Sequence, residues 1–339
     1  MIDWVRAYSC RFAVARVDVG TWADTGTLDN VVSLSIDRDC SDSVPLLEEA
    51  SIEIDGDFED GWYRVYMIAE QGVSEKTALG TFLFERKTAS YDHGSASVKA
   101  DGSSVLIEAE DIELAYGEYA PYGADGARYA ANMLGKAIHA PVKVSGSFVL
   151  SQNVVFSIGM SVLEAVWLVL DAGGFCIRLD GDGTVNILQK PTEPDLELSR
   201  ANARLLMPGV NDDYTLAGVP NRYKAIDGGQ MAVAVNEDAG SAVSYPSRGR
   251  WVDETDTSPV RVNGETLQQY AERKLKEASA ITVQKSYTRE YWPGVRPFSI
   301  VRGGMADIGL SGDFTVVSQS LECDRGVTVQ ETVQAEVSV

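Results

Sequence analysis

A chain of 339 residues exceeds the size at which one hydrophobic core usually suffices, so two or three domains are expected. With 45% hydrophobic and 23% charged residues, the composition is that of an ordinary globular protein and excludes a largely disordered one. The 50 acidic residues outnumber 29 basic ones, and the resulting formal charge of -21 opposes both phosphate-neutralising nucleic-acid binding and docking on an anionic membrane, while permitting basic partners.

The opening stretch MIDWVRAYSC carries Asp3 and Arg6 and lacks an apolar run, so no secretory signal is expected; nowhere do 18 apolar residues follow one another. The first hundred residues alternate polar and apolar positions, as in VVSLSIDRD, ASIEIDGD, WYRVYMIAE and GTFLFER, which predicts half-buried antiparallel strands with turns at Asp55-Gly56 and Asp60-Gly61. The pattern VLIEAEDIEL from Val105 closes that series. An Ala-rich helix is predicted in ADGARYAANMLGKAI, where Tyr129, Met133 and Ala137 recur at helical spacing. A second follows in SVLEAVWLVLDAGG, with Ser161 and Glu164 as a capping box and Gly173 as its left-handed stop. GFCIRL and TVNILQKP then read as two strands, closed by Pro191 and Pro194. Strands resume in NRYKAID, MAVAVNED, ITVQKSYTREYW, FSIVRGG, FTVVSQSLECD and VTVQETVQAEV. One helix interrupts them at 264–279, which Asn263 can cap, with Tyr270, Ala271 and Leu275 on its apolar face.

The chemistry-bearing candidates have structural explanations. Asp180-Gly-Asp-Gly183 resembles a calcium loop, but a twelve-residue loop starting at Asp180 would place Val185 where Gly is needed and Pro191 where Glu is needed, so it reads as a hairpin turn. Glu108 and Glu110 alternate with Ile107, Ala109 and Ile112, which reads as the solvated face of a strand rather than a catalytic pair. His93 and His139 neighbour no Ser or Cys nucleophile, and no GxSxG, HExxH or phosphate-binding Gly loop occurs, so no enzyme and no catalytic residue is assigned. Cys10, Cys40, Cys176 and Cys323 lie far apart without a CxxC pair and read as free thiols; no metal and no cofactor is assigned. Aromatic and basic residues cluster at Arg289, Tyr291, Trp292 and Arg296, with Tyr287 and Phe298 beside them, and again at Arg248, Arg250 and Trp251. They suit either a protein interface or a strand core, and Trp292 could also stack on a sugar.

Gly80-Thr-Phe82 followed by Asp92-His-Gly94 recurs at identical spacing as Gly312-Asp-Phe314 followed by Asp324-Arg-Gly326. These are either two unrelated hairpins or the trace of a duplicated β-barrel.

In the order of its parts the chain resembles the baseplate hub of tailed phages, a trimeric fold shared with the base of the type VI secretion spike protein. The features that carry the resemblance are the helix Ser161 to Gly173 with Phe175 and LDGDGTVNILQKP behind it, Asn221-Arg222-Tyr223, and Gly312-Asp-Phe314-Thr-Val316. The resemblance implies a mainly β (α+β) fold with a first β-barrel domain at 1–108, an α+β middle domain at 109–194 and a second β-barrel domain at 195–339. It further implies a structural virion component: a homotrimer adapting the sixfold tail tube to a threefold tip, assembled in the host cytoplasm and acting in genome ejection. Its partners would be the distal tail or tail tube ring, the tape-measure protein, and tip, fibre or receptor-binding proteins. DNA would pass through an acidic conduit without stable binding, and no stable membrane insertion is implied. Ending at Val339 without an appended lysozyme or peptidase, the sequence does not support wall degradation. A hexameric distal tail protein and a carbohydrate-binding or carbohydrate-active β protein are the alternatives.

Overall fold

The computed structural model describes residues 2–28, 30–40, 46–92, 95–213, 218–261, 264–279, 281–324 and 326–337. Alternation governs the first flank, which forms β1 (Ser9–Val17), β2 (Asp24–Leu28), β3 (Val31–Asp39), β4 (Leu47–Asp55), β5 (Gly61–Glu70), β6 (Ser74–Asp92) and β7 (Ser95–Ser104). In β3 the side chains of Leu34, Ile36 and Arg38 are buried while Ser33 and Asp37 are exposed, the period of two that a half-buried strand requires. β4 does the same with Glu48, Ala50, Ile52 and Ile54. Arg38 and Glu48 are thus placed inside by the same rule that buries their aliphatic neighbours, and they face each other across the β3–β4 ladder.

The middle segment contains α1 (Ile107–Glu110), β8 (Tyr119–Ala120), α2 (Gly126–Ala137), β9 (Val142–Ser145), β10 (Val154–Val155), α3 (Val162–Asp171), β11 (Phe175–Leu179) and β12 (Val185–Gln189). β11 and β12 form an antiparallel hairpin whose second strand runs parallel to β9. Ala127, Ala130 and Leu134 of α2 and Leu163, Val166, Val169 and Leu170 of α3 share one core with Phe175, Ile177, Val185 and Ile187. A ribbon completes this segment: Val155 pairs with Tyr119 and Val154 with Ala120, flanked by bridges from Glu113 to Ser161 and from Asp125 to Val149.

The last flank supplies β13 (Pro194–Leu198), β14 (Leu206–Asp213), β15 (Arg222–Asp227), β16 (Gln230–Val235), α4 (Tyr245–Arg248), β17 (Asp253–Asp256), α5 (Leu267–Ala278), β18 (Ile281–Glu290), β19 (Ile300–Met305), β20 (Leu310–Cys323) and β21 (Val327–Val337). The protein is mainly β. Its large sheet has the order β14-β18-β21-β20-β3-β4-β7-β6-β5-β1-β2, with β19 on β20 and β13 on β19. Strands from the two flanks meet where β20 pairs antiparallel with β3, Leu34 opposite Cys323 through Asp39 opposite Ser318. Two compact units result, one of Met1–Val210 with Ser286–Val333 and one of Asn211–Lys285 with Gln334–Val339. In the second, α5 packs Tyr270, Ala271 and Leu275 onto Tyr223, Ala225, Ala232 and Ala234 of the three-stranded sheet β16-β15-β17.

Several local expectations are corrected. Residues Ile107–Glu110 form one helical turn, not a strand end, and Glu108 accepts a hydrogen bond from the His139 backbone N–H at 2.8 Å. The capping box of α3 forms as expected, but its left-handed stop is Gly174, with φ of 67°, not Gly173. Gly173 serves close packing instead: a Cβ there would meet the Phe148 ring at 2.4 Å, and one at Gly126 would meet the same ring at 2.3 Å. Asn263 lies outside the described residues; α5 is capped by Thr266, which with Gln269 forms a complete capping box.

Candidate assembly interface

The aromatic and basic cluster of the last flank points largely inward. Arg289 is 1% exposed and its guanidinium grips Glu331 of β21 with a fork, Nε to Oε1 at 2.9 Å and Nη2 to Oε2 at 2.5 Å. Glu331, fully buried, also accepts from the Tyr287 hydroxyl at 2.7 Å and from Gln319 Nε2 at 2.6 Å. Burial alone would raise the carboxyl pKa; the Arg289 charge and the hydrogen bonds from Arg289, Gln319 and Tyr287 outweigh it and hold Glu331 below the usual carboxylate range. Burial likewise works against the charged Arg289, and Glu331 reverses it.

The network continues across the β20–β3 seam. Gln319 accepts from Arg38 Nη1 at 3.0 Å, and Arg38 lies 3.5 Å from Glu48, as Arg296 does at 3.6 Å. Both arginines also donate to one carbonyl, that of Leu79, at 2.6 and 2.9 Å. A bulge makes that carbonyl available: the β5–β6 register shifts between Val65 opposite Gly80 and Tyr66 opposite Ala78, leaving Leu79 as the extra residue. With two cations beside one carboxylate, burial and then the Arg296 charge lower the Arg38 pKa to about 10, so it stays protonated near neutrality. Three arginines, two glutamates, one glutamine and one tyrosine thereby tie β3, β4, β18, β20 and β21 together.

The Asp180–Gly183 turn is the second junction. Its hairpin geometry is as expected, with the Gly183 N–H donating to the Asp180 carbonyl at 2.9 Å. Two carbonyls of the turn are aimed onto the first-flank sheet. That of Asp182 accepts from Trp22 Nε1 at 2.9 Å and Arg64 Nη2 at 3.0 Å, and that of Gly181 from the Thr81 hydroxyl at 3.0 Å. A Cβ on Gly181 would lie 1.9 Å from the Ala78 carbonyl oxygen, so only glycine permits this approach.

The candidate interface residues therefore divide. Arg289, Tyr291 and Arg296 are buried, Tyr291 with its edge against Trp4 at 5.9 Å between centroids, and Trp292 is half-buried. Phe298, also half-buried, packs near Trp167. The second unit carries the others: Trp251 stacks on Tyr245 at 4.2 Å and holds the Arg222 guanidinium at 4.9 Å, Arg248 donates to the Val219 carbonyl at 2.6 Å, and Arg250 is exposed. Sequence reasoning missed Arg38, Glu48, Gln319 and Glu331; the signal was present, since each occupies an inward position in an otherwise apolar alternation. His93 lies outside the described residues, and His139 pairs with Glu108 through Nδ1 at 2.6 Å. Cys40, Cys176 and Cys323 are buried thiols outside any disulfide, Cys176 pushed up to about 11 and Cys323 to about 12 chiefly by burial. Among the described residues no cluster of three or more His, Cys, Asp or Glu could hold a metal ion, and no helix is long and apolar enough to cross a membrane.

These features define the class: a β-rich chain, knitted from its two flanks around an α+β insertion, with the fold of phage and prophage tail proteins. No family model and no curated protein matches the sequence, but solved structures match the fold. The tail protein from Neisseria meningitidis MC58 aligns with a TM-score of 0.68 at 14% identity, over 96% of this chain and 96% of that one. The 43 kDa tail protein of prophage MuSo2 from Shewanella oneidensis aligns with a TM-score of 0.63 at 13% identity, over 95% and 97% of the two chains. A chain of the half-lidded Francisella PdpA-VgrG complex gives 0.57 at 7% identity, over 97% of this chain and 58% of that one.

Proposed function

We propose that the protein is a structural component of a phage tail tip or baseplate hub, not an enzyme, and that three copies form a ring adapting a sixfold tube to a threefold tip. The observation that carries this reading is the fold likeness to a tail protein over 96% of both chains, which leaves little of either unmatched. The parts at 1–108, 109–194 and 195–339 act in it as first tube domain, middle domain and second tube domain. Support for a shared wall comes from the β3–β20 seam, which makes one sheet of strands from both flanks. The ring meets the distal tail or tube protein on one side and tip, fibre or receptor-binding proteins on the other, and DNA and the tape-measure protein pass through it. A net charge of -21 suits passage without adhesion.

Within this reading the candidate contact residues do different jobs. Arg250, Trp251 and Trp292 retain exposed surface and touch neighbours directly. Arg248 positions the α4 turn beside Trp251, while Arg289, Tyr291 and Arg296 hold the wall from inside. Cryo-electron microscopy of purified tails tests the proposal: three copies at the tip are expected. Six copies would replace the adaptor with a hexameric distal tail protein, and absence of the chain from tails would end the reading.

A further inference from the structure

The ribbon of the middle segment presents an apolar face to solvent. Segments 112–125 and 149–162 run antiparallel, and their alternation is strict where they pair: Ala120 and Val154 are buried, Tyr119 and Val155 are exposed. Leu150 and Phe156 join the core on the inner face. Tyr119 and Val155 thus point outward, and the ribbon also exposes Tyr116 by 87%, Ile158 by 83% and Tyr122 by 67%, with Val155 at 70% and Ile112 and Val149 exposed as well. Of the 18 large apolar residues exposed among the described ones, seven lie on this ribbon, so the exposure is concentrated rather than scattered. A fully exposed aromatic side chain presents about 150–250 Å², and Tyr119, Tyr122 and Tyr116 are 49%, 67% and 87% exposed. Together the seven exposed side chains approach the roughly 800 Å² that one partner contributes to a stable interface, beyond the scattered exposure that needs no explanation.

Charge selects the occupant. From Glu110 to Tyr122 the charged residues are Glu110, Asp111, Glu113 and Glu118, all exposed, and Val149 to Met160 contains none. The two ribbon segments therefore carry carboxylates alone, of which Asp125 is paired at 3.3 Å with the exposed Arg128 of α2. A second copy docking through the same face would oppose these carboxylates to their own kind, whereas a partner with basic residues around an apolar segment would pair them. We propose that this face docks a different protein whose contact segment carries apolar side chains flanked by basic residues, lysine among them. That the partner is another tail component rests on the function proposed above; the surface and its chemistry do not.

The native complex, isolated through a tag on this chain, is treated with a zero-length carbodiimide, which joins a carboxylate to an amine in contact, and the joined peptides are mapped by mass spectrometry. Glu113 or Glu118 is expected to be joined to a lysine of a different chain, in a segment that also holds apolar residues. Tyr119→Ser combined with Val155→Ser should cut that product by about tenfold or more, as removal of central apolar anchors does, without changing the unfolding temperature of the isolated chain. Joining only to another copy, no joining at the four carboxylates, or a yield indifferent to the double variant would overturn the proposal. A joined partner that is not a tail component would leave the docking face standing and remove the tail reading; complexes containing tail proteins but no such product would do the reverse.

Discussion

Glu331 shows how a single charged residue can specify a seam between distant parts of a chain. Its two oxygens receive Arg289, Tyr287 and Gln319, and Gln319 passes the connection to Arg38 of the first flank. Such a pair adds little over a well-packed apolar alternative, but breaking it leaves a buried charge alone, at a cost of about 3–5 kcal/mol. Glu331→Gln is therefore expected to destabilise the protein by that amount in urea unfolding near neutral pH, with a larger effect than removal of an exposed pair such as Arg6 with Asp3. The pH dependence follows in sign. Because the folded carboxyl is held below its unfolded value, its contribution is present above about pH 4.3, the ordinary glutamate pKa, and is lost as pH falls through the folded value. Below about pH 4 the gap between the native protein and Glu331→Gln should narrow; a constant gap across that window would show that Glu331 is not ionised in the fold.

Among the elements, the β11–β12 hairpin is the clearest case of a local motif acquiring a tertiary purpose. The turn chemistry of Asp180–Gly183 is sufficient to reverse the chain, yet Gly181 is needed for a different reason, the approach of its Cα to the Ala78 carbonyl. Gly181→Ala is expected to leave the hairpin formed but lift it from the sheet, releasing the hydrogen bonds to Trp22, Arg64 and Thr81. Hydrogen exchange should then accelerate across β11–β12 and around Ala78 while the helices α2 and α3 stay protected. Unchanged exchange at the turn would contradict the docking. The neighbouring glycines make the same point: Gly174 supplies the left-handed backbone, while Gly173 supplies room for Phe148. The paired Gly-x-Phe motifs of β6 and β20 also differ in cause, since Gly80 makes space for the Phe82 ring whereas Gly312 has φ of 109° and open space beside it. Phe82 and Phe314 are nonetheless both buried.

At the scale of the molecule, two compact units are held by separate cores, the first by two large ones and the second by a small one. The second unit relies on Tyr223, Ala225, Ala232, Ala234, Tyr270, Ala271 and Leu275, a set with few large side chains. Thermal unfolding should accordingly depart from a single two-state transition. Leu275→Ala, which removes a buried side chain at a cost of about 2–5 kcal/mol, is expected to lower one calorimetric transition and leave the other in place. A single transition that shifts as a whole would mean that the two units melt as one.

Much of the fold was legible in the sequence. Alternation placed β3, β4 and β21, Ser161 and Glu164 marked the start of α3, and the apolar stripe of α5 was readable in Tyr270, Ala271 and Leu275, because each depends on residues close together in the chain. The same alternation already put Arg38, Glu48 and Glu331 on inward faces, but nothing local says whether an inward charge meets a partner. That depended on contacts such as Arg38 with Gln319, 281 residues apart, and on a bulge that frees the Leu79 carbonyl. Composition and periodicity determined a mainly β chain with an α+β insertion and a strong negative charge. Only the tertiary structure decided that the flanks share one sheet, that the Asp-Gly turn is a clamp, and that tyrosines of the ribbon stay outside while arginines go inside. Periodicity assigns each side chain to a face, whereas the pairing of distant strands decides what that face meets.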